Sequence, residues 1–213
     1  SCLSVRRAFA AFAACAIPTV FAADVPPAAV PEPVTVIKAG KLIDVATGRV
    51  RNDQVIVVQG GKISAVGAAG VTVVPPGATV IDLSDKTVMP GLIDTRTHVT
   101  GDPTLPPYYG YGISVPREAL MGARFGRETL LAGVTTIRNV GASGYSDIAL
   151  RDAINAGDVI GPRILASGPA LGITGGHCDS NMLAPEYNDR GEGVADGVDA
   201  VAYAAGPDRV RLR

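Results

Sequence analysis

Between residues 34 and 85, short apolar runs alternate with glycine- and proline-rich breaks, a pattern of strands rather than helices. Val34-Thr35-Val36-Ile37 is β-branched at every position, which suits a pleated strand. Lys41-Leu42-Ile43-Asp44 follows, closed by the turn residues Ala46-Thr47-Gly48. Gln54-Val55-Ile56-Val57-Val58 is a strong strand, and Gly60-Gly61 has the hairpin chemistry that returns Ile63-Ser64-Ala65-Val66 beside it. Pro75-Pro76-Gly77 breaks the chain before a last strand, Thr79-Val80-Ile81-Asp82-Leu83. Residues 34–86 therefore read as a small β-module without chemistry of its own.

From residue 87 the pattern changes. Residues 88–94 are apolar enough for a buried strand that ends in polar residues. Residues 116–132 permit a helix, with proline at its start and Gly133 as its stop. Its apolar residues Leu120, Met121, Phe125, Leu130 and Leu131 keep the helical period imperfectly. A second strand is expected over 134–140. Ser146 can cap a helix running to Ala156, ended by Gly157, and residues 163–167 form a third strand. Strands alternating with helices predict an α/β fold with a parallel sheet. Active sites on such sheets lie beyond the C-terminal ends of the strands, where polar residues cluster in this chain.

The first 22 residues read as an export signal. Arg6 and Arg7 form a basic start, residues 8–17 are uninterruptedly apolar, and Val20-Phe21-Ala22 offers small residues for cleavage. The apolar run is too short for a membrane span, which needs about 20 residues. Export by the general or the twin-arginine route places the protein in the periplasm or outside the cell. Residues 23–33 are proline-rich and form a linker.

Composition narrows the function. A hydrophobic content of 47% supports a core, and a net charge of −1 gives no footprint for nucleic acid. Cys178 stands alone once Cys2 and Cys15 leave with the signal, so an internal disulfide is excluded. The chain has two histidines, His98 and His177, and no lysine after Lys86. Any chemistry must be built from that inventory.

Three segments carry a resemblance. Pro90-Gly91-Leu92-Ile93-Asp94-Thr95-Arg96-Thr97-His98 strongly resembles the first barrel strand of the metal-dependent amidohydrolase superfamily. Ala132-Gly133-Val134-Thr135-Thr136 resembles its second strand. Gly172-Ile173-Thr174-Gly175-Gly176-His177 resembles the loop after its third, in the branch with imidazolonepropionase-like enzymes and metallo-dipeptidases. The resemblance implies a TIM-like (β/α)8 barrel over 87–201, preceded by a small β-sandwich over 34–86. It implies a divalent metal, zinc above all, held in part by a His-x-His pair. Alternate strand residues share a face, so two such imidazoles can grip one ion. His98 is then a metal ligand, and His177 lies near the substrate.

The sequence departs from that pattern. Arg96 stands where the leading histidine is expected, and a guanidinium has no lone pair for a metal. The bridging lysine and later histidines of the superfamily have no counterparts here. About three of the eight strands are present, and residues 202–213 look like an aberrant tail. The expectation is a truncated barrel with no complete catalytic set and weak or absent metal binding. The function implied is hydrolysis of a C–N bond in a dipeptide, N-acyl amino acid or cyclic amide, with this copy incomplete and inactive. The alternative is a non-catalytic pseudoenzyme or binding remnant. Read without the resemblance, His98 serves as well as a structural histidine and His177 as a plain loop residue. Arg138 suits an internal salt bridge or a substrate carboxylate. The expected partners are a small-molecule or peptide substrate and, through the open sheet edge, further copies of the chain.

Overall fold

The computed structural model describes residues 33–205. The signal expected over 1–22, the linker apart from Pro33, and residues 206–213 lie outside that range. Within it the chain divides into two compact units, 33–40 with 52–85 and 41–51 with 86–205. No helix among the described residues is long and apolar enough to cross a membrane.

Most of a four-stranded sheet lies in the first unit: β1 (Val34–Asp44), β2 (Arg49–Gln59), β3 (Lys62–Ala68) and β4 (Thr79–Val88), in the order β3-β2-β1-β4. Gln59 pairs with Lys62 across Gly60 and Gly61, whose φ values of 55° and 71° are the left-handed ones a tight hairpin demands. Val36, Val55 and Val57 form the core of this unit. β1 runs unbroken where the sequence suggests two short strands. It is an inner strand, and pairing on both sides overrides the weak strand preference of Ala39 and Gly40. The sandwich expected over 34–86 is represented by this one sheet.

The second unit is a mixed α/β arrangement in which strands and helices alternate. β5 (Leu92–Thr97), α1 (Val115–Leu131), β6 (Val134–Asn139), α2 (Ser146–Ala156), β7 (Arg163–Leu165) and α3 (Val198–Ala204) follow in order. The strands form a parallel sheet, β5-β6-β7. Its helix-covered face holds the core: Ile137 and Ile164 from the strands, Val99 and Ala166 just past them, and Leu150 from α2. Alternation along β6 buries Ile137 and Asn139 while Arg138 between them is exposed.

Two expectations are corrected, and the helical period of α1 is explained. The strand expected over 88–94 is cut by Pro90-Gly91, so β4 ends at Val88 and β5 starts at Leu92. Nor is it buried: β5 is an edge strand, with Leu92 52% and Ile93 68% exposed. Helix α1 does not bury Leu120 and Leu131, which are 73% and 68% exposed. Its buried face is Gly122 and Gly126, one turn apart, which explains the imperfect apolar period. A Cβ at Gly122 would sit 2.9 Å from the Thr100 side chain and 3.0 Å from that of Leu150 in α2, so a larger residue there would push these neighbours aside. Finally, Ser146 does not cap α2. Tyr145 occupies that place with φ 61°, and the Ser146 hydroxyl instead donates to Glu118 Oε1 at 3.0 Å. The stop at Gly157 is as expected, with φ 84° and its N–H bonded to the Ala153 and Ile154 carbonyls.

Candidate active site

His98 lies one residue past β5, at the C-terminal end of the parallel sheet. Its Nδ1 is 3.2 Å from the carbonyl oxygen of Gly141, which lies just past β6. A carbonyl can only accept, so this hydrogen bond forms when Nδ1 carries the proton. Nε2 then keeps its lone pair for a ligand or a proton.

Two side chains that the sequence reading passed over hold this corner. Asn139 ends β6 and is fully buried. Its Oδ1 accepts from the Val99 N–H at 2.7 Å, and its Nδ2 donates to the Gly141 carbonyl at 3.1 Å. Asp147, fully buried in the first turn of α2, accepts from Asn139 Nδ2 at 3.0 Å. Glu118 of α1 adds a second clasp, its Oε1 accepting from the Thr100 hydroxyl at 2.8 Å and the Ser143 N–H at 3.2 Å. One signal was legible: Asn139 is polar at a position two residues from Ile137, on the strand's apolar face.

His177 lies on the loop after β7 and is exposed. It lines the same cleft as His98, a space of about 730 Å³ that also touches Asp102, Tyr111, Asp179 and Arg190. The two histidines thus border one cavity although they are far apart in sequence. Arg96 is exposed on β5 and is not among the residues lining that cleft. Its N–H donates to Asp94 Oδ1 at 2.9 Å. Arg138 donates from Nε to the Thr95 carbonyl at 2.7 Å and borders a neighbouring cavity with Tyr145, Leu165 and Leu171.

Two aspartates pin the His177 loop. Asp179 accepts from the N–H groups of Gly191, Gly175 and Ser180 at 2.8–2.9 Å. Asp196 accepts from the Thr174 hydroxyl and N–H and from Arg190. The Gly191 and Gly175 N–H groups hold the Asp179 carboxyl below its ordinary value of 3.8. The Thr174 hydroxyl, then its N–H, does the same for Asp196. A lowered pKa stabilises the loop fully above the unfolded value, and that contribution is lost as the pH falls through the folded value. Amide protection across 172–196, taken relative to the unstructured exchange rate at each pH, should hold from pH 7 to about 4 and fall below that. Asp179→Asn should bring fast exchange already at pH 7.

Residues 87–208, more than half of the chain, match the profile of the amidohydrolase family. This chain belongs to the amidohydrolase family. It is 33% identical to the ochratoxinase of Aspergillus niger over 59% of this chain and 28% of that protein. It is 35% identical to the enamidase of Eubacterium barkeri over 51% of this chain and 25% of that protein. Among solved structures, a Xaa-Pro dipeptidase with bound methionine in its active site superimposes with a TM-score of 0.69 at 35% identity. That match covers 80% of this chain and 43% of the dipeptidase. The amidohydrolase chain thus spans less than half the length of the relatives it matches.

Among the described residues, the donor set does not fit a divalent metal centre. A catalytic zinc takes three protein ligands. Among the described residues, no three of histidine, cysteine, aspartate and glutamate converge on one point. His98 offers one lone pair, and Arg96 offers none. What the residues present can do is border a cleft with two imidazoles and hold one of them in a set orientation.

Proposed function

We propose that this chain is part of an exported, metal-dependent hydrolase acting on C–N bonds, and that its 213 residues alone leave the metal centre incomplete. The observation that carries this reading is the family match over 87–208 together with His98 at the mouth of the cleft. In it, β5, β6 and β7 with α1 and α2 are the opening of a TIM-like barrel, and β1–β4 are one layer of a small sandwich. His98 is a ligand of the ion, zinc by preference, and His177 faces the substrate. Likeness to a Xaa-Pro dipeptidase, an ochratoxinase and an enamidase supports a dipeptide, N-acyl amino acid or cyclic amide as substrate. Residues 1–22 direct export to the periplasm or beyond.

The second reading is a non-catalytic binding remnant, favoured by Arg96 at the place of a ligand. One fusion separates the two readings. The remaining barrel of the Xaa-Pro dipeptidase relative is joined to this chain carrying Arg96→His and loaded with zinc. Hydrolysis of Xaa-Pro dipeptides or N-acyl amino acids is the expected result. A folded, zinc-loaded fusion that turns over none of them would contradict the hydrolase reading.

A further inference from the structure

We propose that the buried pair Asn139 and Asp147 is the positioning device of this site, fixing His98 in one place and one tautomer. The Asn139 amide is used completely. Its Oδ1 accepts from the Val99 N–H at 2.7 Å and the Thr97 hydroxyl at 3.4 Å, on either side of His98. Its Nδ2 donates to the Gly141 carbonyl at 3.1 Å and to Asp147 Oδ2 at 3.0 Å. Asp147 settles which way the amide faces. Its Oδ2 already accepts from the N–H groups of Ser167 and Gly168, at 3.1 and 3.2 Å, so it presents an acceptor and draws the NH2 end of Asn139.

The consequence reaches the imidazole through one atom. The Gly141 carbonyl has two lone pairs: one takes Asn139 Nδ2, and the other takes His98 Nδ1 at 3.2 Å. With the carbonyl held from behind, the proton of a neutral His98 belongs on Nδ1, and Nε2 is the nitrogen left to act. The approach is close enough that a Cβ at Gly141 would lie 3.3 Å from the ring and 3.1 Å from Ala170. The same pair ties together the ends of all three strands: Val99 after β5, Gly141 after β6, and Ser167 and Gly168 after β7. Asp147 Oδ1 is buried without a hydrogen-bond partner among the described residues, which is a cost. The role follows from hydrogen bonds within the chain and holds whatever reaction the cleft serves.

With only His98 and His177 in the chain, ¹⁵N-histidine labelling reports two rings, assigned through His177→Gln. Magic-angle-spinning spectra of the sedimented chain are recorded at alkaline pH and read for which ring nitrogen carries the proton. Wild-type His98 should show a single Nδ1–H tautomer. Asn139→Ala should lose that signature at His98 while His177 is unchanged. Asp147→Ala should lose it as well, and Asp147→Asn, which keeps an acceptor oxygen, should retain it. Leu150→Ala, which weakens the same core without touching the pair, should also retain it. The proposal is overturned if Asn139→Ala leaves the tautomer in place, or if Leu150→Ala abolishes it equally. Should Asn139→Ala fail to fold, equal behaviour of Asp147→Ala and Asp147→Asn would overturn it.

Discussion

Arg96→His, made in the barrel completed with a relative's remaining strands, is expected to raise hydrolysis by several orders of magnitude over the Arg96 version. The reason is that arginine does two kinds of damage at once. On the proposed reading it would supply no lone pair to the ion and would add a permanent positive charge beside it. A bound ion would supply activation of water and polarisation of the scissile carbonyl, and the Arg96 version would lack both. The effect should fall on kcat, since what is lost is stabilisation made in the transition state. The reciprocal change, arginine placed at the matching position of the intact dipeptidase relative, should cost a similar factor. Equal activity of the fusions with and without Arg96→His would mean that Arg96 does not stand at a ligand position. The alignment of residues 90–98 with the metal-binding strand would then be wrong.

The second large effect concerns association. Expressed as residues 23–213, the chain should be poorly soluble or oligomeric, as read by light scattering and sedimentation. The parallel sheet is covered by helices on one face. On the other, Ile93 is 68% and Leu165 51% exposed, and Leu171 and Ile173 just beyond are 47% and 66% exposed. Among the described residues, β5 and β7 are the edge strands of this sheet. Apolar surface next to an unpaired edge is the usual ground for strand-to-strand association. Ile93→Asp with Leu165→Asp should shift the chain toward monomer. A clean wild-type monomer with a sharp, cooperative thermal transition would refute this expectation.

Much of the second unit was legible in the chain. Pro116 and Gly133 bracket α1, Gly157 ends α2, and the β-branched run from Val134 marks β6, because these signals are local and backbone-driven. What was not legible depends on contacts distant in sequence. Nothing near Gly122 announces that it lies against Thr100 and Leu150, so the apolar period of α1 does not show which face is buried. Ser146 has the right chemistry for a cap, but Glu118, 28 residues earlier, takes its hydroxyl. The site shows the same division. His98 and His177 stand out because histidine is rare in this chain, and the structure brings both to one cleft. Asn139 and Asp147, eight residues apart, act as a pair only once the turn after β6 brings α2 back against the sheet.

The central claim is that this amidohydrolase chain does not by itself assemble a metal centre. Metal analysis of the purified 213-residue chain tests it most directly, after incubation with excess zinc and exhaustive dialysis. A single imidazole should leave the content far below one ion per chain, and His98→Ala should change little. Zinc retained at one or more ions per chain, and lost on His98→Ala, would contradict the account.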